Sequence, residues 1–274
     1  MVPTDSIRNS ISTQYGNVHE AHISQVKQTS SDNTHVDSSN VSGPANPIFS
    51  SKGLHICSIN TCHILPKLDE LTLLLLENNI HILGSCETFL NSHINDFELS
   101  IQGYKFERKD RANQSGGGLI VYVNERISYA RGFDLENTIE SIWIQINVIN
   151  TKPLLINFIY MPPDSRQDWI DIYENQFRSA VNQFPEIFIL GVFNIPFTSN
   201  NTCCNLRWST FYSKYGITQL ITEPTRVTQN TSSIIDHIYT TYPDHVSDIG
   251  VPKVAISDHF PVRITRYANQ CNLF

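Results

Sequence analysis

Four places along this chain put a chemically capable side chain at the end of a short apolar run. Asn60 closes the run from Leu54 to Ile59, and Glu87 follows the run that begins at Ile80. Asn194 follows Ile187 to Leu190, and Ser257, Asp258 and His259 precede the run from Pro261 to Thr265. Asp236 and His237 lie inside another run, Ile234 to Tyr239. A strand delivers its terminal side chains to the rim of a sheet, where loops form clefts. A carboxylate, an amide, an aspartate and a histidine gathered at such a rim suit a hard divalent cation beside an acid/base group, because that cation takes oxygen ligands and keeps several waters. Each residue alone also has a plainer reading. Asn and Asp at strand ends commonly form turns, and a single His is usually a satisfied structural group. The triplet from Gly116 to Gly118 and the tryptophans likewise default to turns and packing.

The elements that must position these residues are short and mixed. Pro66 opens a helix whose apolar face is Leu68, Leu71, Leu74 and Leu75, ending at Asn78 and Asn79. A second helix carries Trp169, Ile172, Tyr173, Gln176, Phe177, Ala180 and Val181 at helical spacing, and a third runs near Leu206 to Tyr215. Strands are expected at Leu54–Ile59, Ile80–Leu83, Gly117–Val123, Ser141–Val148, Leu154–Tyr160, Ile187–Leu190, Ile217–Ile221, Ile234–Tyr239 and Pro261–Thr265. The three from Gly117 to Tyr160 are close enough to form an antiparallel meander. A meander after a βαβ unit favours a layered mixed α/β domain over a doubly wound parallel sheet.

Composition narrows the class further. Over 274 residues, 40% are hydrophobic and 10% aromatic, enough for a sizeable core. Residues 1–52 differ: 23 of them are Ser, Thr, Asn or Gln and only Tyr15 and Phe49 are aromatic, so this head is expected to be disordered. The folded domain is placed at 53–267, with a short tail at 268–274. A net charge of −7 argues against gripping nucleic acid by bulk charge. The cysteines at 57, 62, 86, 203, 204 and 271 show no metal or disulfide spacing and read as reduced thiols. No signal peptide or membrane-length apolar run is present, so the expected setting is intracellular, nucleus or cytoplasm, with no membrane partner.

A set of motifs in fixed order adds a resemblance. INTCHILPKLDEL (59–71), ILGSCETFL (82–90), RKDR (108–111), GGGLIVYV (116–123), LINFIYMPP (155–163), ILGVFN (189–194), ITEPTR (221–226), SSIIDHIYT (232–240) and ISDHFPV (256–262) span nearly all of 54–266. Together they resemble the endonuclease/exonuclease/phosphatase superfamily, and within it the endonuclease domain of LINE-type non-LTR retrotransposons. The resemblance implies a DNase I-like α/β fold, a four-layer sandwich of two packed mixed β-sheets flanked by helices. It implies hydrolysis of phosphate esters with Mg²⁺, or Mn²⁺ in its place, by in-line attack of water. Residue by residue, it makes Glu87 the main metal ligand with Asn60 and Asp258 beside the ion. It makes His259, held by Asp236, the group that contacts the scissile phosphate, with Tyr160 and Asn194 as further phosphate contacts. The implied partner is duplex DNA, and a reverse-transcriptase module is expected in the intact element.

The chain departs from this pattern at one chemical position. Where the family reads G-D-[FL]-N, this chain has Gly191, Val192, Phe193 and Asn194, so Val192 stands where an Asp orients or deprotonates the attacking water. A valine does neither, and loss of a positioned general base typically lowers a rate by about 10²–10⁴. Ile59, His63 and Met161 also depart from the usual residues. Two functions of different class follow: a metal-dependent DNA endonuclease of impaired activity, or a catalytically inactive remnant or nucleic-acid-binding module of the same fold. A small-molecule phosphoesterase ranks below both. Over 53–266 there are 16 Lys and Arg against 22 Asp and Glu, a poor balance for unaided DNA affinity.

Overall fold

Period-two apolar patterning builds most of this molecule. The structure is a computed structural model and describes residues 48–112, 116–147, 152–165, 168–195 and 203–267; most of the polar head and the tail from 268 lie outside these residues. The chain runs through β1 (Leu54–Asn60), α1 (Leu68–Glu77), β2 (Ile82–Cys86), β3 (Tyr104–Lys109) and β4 (Leu119–Asn124). It continues through β5 (Tyr129–Arg131), β6 (Glu140–Ile146), β7 (Leu154–Tyr160), α2 (Trp169–Val181), β8 (Ile187–Val192) and α3 (Cys203–Lys214). The last strands are β9 (Thr218–Gln219), β10 (Arg226–Val227), β11 (Ser232–Ser233), β12 (Asp236–Thr240), β13 (Val246–Gly250) and β14 (Val262–Arg266).

Two six-stranded sheets result, ordered β13-β14-β1-β2-β4-β3 and β5-β6-β7-β8-β12-β9, with β10 and β11 forming a separate hairpin. The β1/β2 and β7/β8 pairs are parallel and the rest antiparallel, so both sheets are mixed. Alternation assigns each strand's residues to a layer. Ile142, Ile144 and Ile146 of β6 face inward and share the inter-sheet core with Ile82, Val121 and Val123. Trp143, between them, faces outward to α2, where its ring lies 6.4 Å from that of Tyr173. On the other outer face, Leu71, Leu74 and Leu75 of α1 cover Cys57, Ile59 and Leu83. The order is helix, sheet, sheet, helices, and each fully buried aliphatic side chain contributes roughly 1.5–3 kcal/mol.

The expected meander is not formed. β4 belongs to the first sheet, between β2 and β3, whereas β6 and β7 pair with each other in the second. Both faces of β4 are buried, so its apolar run is equally compatible with either sheet, and only the pairing partners decide. The strand expected from Gly117 begins at Leu119 instead, because Gly117 and Gly118 adopt φ of 69° and 86°. β3, β5 and β13 were not anticipated; each is an edge strand, paired on one side, and none contains a fully buried residue. The chain is also packed before Gly53. Ile48 N–H donates to Asn78 Oδ1 (3.1 Å), Phe49 stacks on His55 with centroids 4.2 Å apart, and Ser50 Oγ donates to Asp248 Oδ2 (2.9 Å).

Candidate active site

Strand register sets the site. In the first sheet, Asn60 opposes Cys86, so the parallel strands β1 and β2 end level and Glu87 leaves the sheet beside Asn60. In the second sheet, Val192 at the end of β8 is opposed by Tyr160 of β7 and by Asp236 at the start of β12. The two rims meet at the buried thiol of Cys86. Burial first, then the charges of Asp236 and Glu87, push this thiol well above its ordinary pKa, against the backbone of Val192, which lowers it. Glu87, after the first sheet, and Asp236, in the second, therefore both act on this thiol.

His259 Nδ1 lies 2.8 Å and 3.0 Å from the two carboxylate oxygens of Asp236, and both residues are buried. Thr225 fixes the carboxylate: its hydroxyl donates to Asp236 Oδ2 (2.6 Å) and accepts the backbone N–H of Asp236 (3.1 Å). The loop carrying His259 is tied down twice. Phe260 N–H donates to the Thr225 carbonyl (2.7 Å), and Ser257 Oγ donates to the Asn60 carbonyl (2.6 Å), joining it to the end of β1. Burial opposes charge on His259, but the hydrogen bond and charge of Asp236, with Asp258, outweigh it and hold the imidazole above its ordinary pKa. Since Nδ1 serves Asp236, Nε2 is the ring nitrogen that the carboxylate leaves unengaged.

On the opposite rim the backbone is unusual. Six non-glycine residues among those described have φ between 44° and 82°, and five of them, Cys62, His63, Glu87, Phe89 and Asn194, follow the ends of β1, β2 and β8. Such conformations cost of order 1–3 kcal/mol each and persist where neighbours enforce them. Here His63 N–H donates to the Glu87 carbonyl (2.8 Å) and Ile64 N–H to that of Thr88 (3.1 Å). This turn holds the half-buried Glu87 side chain toward Tyr160. Burial, then the negative charge and hydrogen bond of Glu87, raise the Tyr160 phenol above its ordinary range, so it stays a neutral donor. Arg111 lies over the Tyr160 ring, 5.5 Å from its centroid.

Asn60, Glu87, Tyr160, Asp236 and His259 are thus brought to one rim. Asn194 sits at the same rim, with its amide Nδ2 donating to the Met161 carbonyl (2.9 Å). Asp258 is half-exposed and ion-paired with Arg226 (2.8 Å); burial tends to raise its pKa, but the bond to Arg226 and the charge of His259 lower it overall. Val192 is fully buried in the inter-sheet core and forms the floor beneath the rim. Thr225, Arg226 and Arg111 lie within motifs legible in the sequence but received no role there, since ion pairs and caps between distant segments leave no periodic signal.

The donors present suit one kind of metal. Among the described residues no three His, Cys, Asp or Glu side chains group closely enough to form a cage. Asn60 Oδ1 already accepts the Cys62 N–H (2.9 Å). The Glu87 carboxylate, which the Tyr160 phenol engages but does not saturate, and one amide oxygen with a lone pair to spare suit a cation that keeps most of its waters, as Mg²⁺ does, better than a zinc-type centre.

The layers, the strand order and the rim define the class: the chain has the DNase I-like fold of endonuclease/exonuclease/phosphatase proteins. Similar solved structures include the endonuclease domain of TRAS1, a telomere-specific non-LTR retrotransposon (TM-score 0.63, 14% identity, covering 79% of this chain and 99% of that one). They also include the 3'-5' exonuclease NExo from Neisseria meningitidis (0.61, 16%, 77% and 99%) and an AP endonuclease from Archaeoglobus fulgidus (0.59, 13%, 78% and 100%). No family model and no curated protein matches the chain in sequence.

Proposed function

We propose that the chain is a Mg²⁺-dependent phosphodiesterase of the retrotransposon endonuclease type, which nicks duplex DNA at a rate curtailed by Val192. The observation that carries this reading is the buried Asp236–His259 pair facing Glu87 and Tyr160 across one rim. Asp236 accepts a hydrogen bond from Nδ1–H and fixes the imidazole, and its charge favours the protonated form of His259, which suits donation to an anionic phosphate oxygen. Tyr160 donates its phenol proton to the same charge. Glu87 and Asn60 would hold the metal, which when bound neutralises charge developing on the phosphate and the leaving oxygen. Asn194, and Asp258 once released from Arg226, would complete the contacts. Nothing at Val192 accepts a proton from the attacking water. Val192 and the acidic balance, which is poor for unaided DNA affinity, favour a second reading, a catalytically inactive remnant of the same fold that retains at most weak nucleic-acid binding.

The deciding experiment is supercoiled-plasmid nicking with Mg²⁺ or Mn²⁺ by the natural protein, Val192→Asp, and Val192→Asp combined with His259→Ala. The expected result is nicking at least about 10²-fold faster by Val192→Asp than by the natural protein, lost again on removal of His259. Equal rates would show that Val192 is not the lesion. No nicking by any form would favour the inactive remnant, with Ile59, His63 and Met161 as further lesions.

A further inference from the structure

Arg111, the triple glycine and Glu140 take no part in the chemistry above, yet they lie against Tyr160. Arg111 Nε donates to Glu140 Oε1 at 2.7 Å, and Nη2 lies 2.5 Å from the same oxygen at an angle that makes no hydrogen bond. Nη1 has no partner among the described residues. Among the described residues, a guanidinium whose side chain is 19% exposed therefore finds an acceptor for one of its five N–H donors. Holding such a group out of water is costly unless its other donors find acceptors.

The surrounding chain is shaped to keep it there. Gly116, Gly117 and Gly118 have φ of 87°, 69° and 86°, a run that side-chain-bearing residues resist. A Cβ on Gly117 would lie 2.3 Å from Arg111 Cζ, so the bare backbone is what lets the guanidinium pack flat. Gly118 N–H donates to Glu140 Oε2 at 2.5 Å, which locks the carboxylate that locks Arg111. Phe89 N–H and Thr88 N–H, just after Glu87, donate to the Gly117 and Gly118 carbonyls. The cradle is thereby continuous with the turn that presents Glu87.

We propose that Arg111 is a substrate-binding residue whose Nη1 edge takes an anionic oxygen of a nucleic-acid phosphate entering the rim beside Tyr160, with Glu140 as its positioning residue. The proposal rests on the phosphodiesterase reading. A planar fork fixed in place suits phosphate better than a mobile ammonium. In a domain with an acidic balance, the polyanion must be held by such locally fixed cations rather than by the general field.

The test is fluorescence anisotropy of a labelled DNA duplex in EDTA, titrated at several salt concentrations, for the natural protein, Arg111→Met, Arg111→Lys and Glu140→Gln. EDTA removes hydrolysis from the readout, and thermal melting checks the fold. Arg111→Met is expected to weaken binding about tenfold or more and to flatten the slope of log affinity against log salt by up to about one. Arg111→Lys keeps the charge but loses the fork and should recover only part of the affinity; Glu140→Gln should fall between. Unchanged affinity and slope in folded Arg111→Met overturn the proposal and leave the phosphodiesterase reading intact. If Arg111→Met fails to fold, Arg111→Lys binding as tightly as the natural protein does the same. Absence of DNA binding by the natural protein even at low salt overturns this proposal, while plasmid nicking with metal present decides the phosphodiesterase reading separately.

Discussion

His237 and His259 show two treatments of the same side chain. His259 is partnered by a carboxylate and held above its ordinary pKa, whereas His237 is pushed down to about 4 by burial, against the opposing pull of the Ile234 carbonyl and Asp236. Its Nε2 lies 3.1 Å from the Ile234 carbonyl and its Nδ1 2.9 Å from the Tyr239 hydroxyl, which suits the neutral ring. A folded-state value of about 4 against an ordinary 6.5 means that the unfolded chain binds more protons between those limits. The stability that neutral His237 contributes is complete above pH 6.5 and is lost as pH falls toward 4, on the order of 3 kcal/mol in all. Urea unfolding of His237→Gln should therefore show a shallower fall of stability over that window than the natural protein. A parallel fall in both would remove His237 as the cause. Val192→Asp has a price in stability at this scale as well. The new carboxylate would sit fully buried opposite Asp236, and without metal it should destabilise the fold by roughly 2–4 kcal/mol, read as a lower melting temperature in EDTA.

The central pairing of elements, β2 over β7, depends on a missing side chain. A Cβ on Gly84 would lie 2.0 Å from Phe158 Cδ1, so the sheets approach there only because Gly84 leaves room for the ring. Gly84→Ala should cost about 1–3 kcal/mol by overpacking. Combining it with Phe158→Leu should cost less than the sum of the single changes, a coupling that a double-mutant cycle measures. Strict additivity would mean that the two residues do not share the space. Along β8, Gly191 has φ of 150° and a Cβ there would lie 1.9 Å from the Ile159 carbonyl oxygen, so the glycine before Val192 belongs to the strand pairing and not to the chemistry.

For the molecule as a whole, the segment before β1 covers part of the outer face of the first sheet, over β1 and β14. Phe49 is 6% exposed, its ring stacked on His55 and faced by Arg263, whose Cζ is 5.2 Å from the ring centroid. Phe49→Ala should cost roughly 2 kcal/mol, a fall of about 4–8 °C in melting temperature for a domain of this size. An unchanged melting temperature would show that this strap adds nothing to the folded state. Among the described residues no helix is long and apolar enough to cross a membrane.

Local patterning in the sequence determined the inner strands, all three helices and the layered α/β class, because central strands and amphipathic helices bury a fixed face and so repeat their apolar residues. The bounds moved by a few residues: β2 ends at Cys86 and not Leu83, which is what brings Glu87 to the rim. Asn60, Glu87 and His259 were legible as candidates because each is a polar side chain at one end of an apolar run, Asp236 because it interrupts one, and motif order gave Tyr160 and Val192. Tertiary structure alone decided which sheet receives β4, since a strand buried on both faces carries no mark of its partners. It alone made Phe49 part of the core, because one aromatic in a polar stretch has no period to betray it. It alone joined Thr225 to Asp236, Arg226 to Asp258 and Arg111 to Glu140, segments 11 to 32 residues apart. Such contacts depend on where folding brings distant side chains, and no spacing along the chain encodes them.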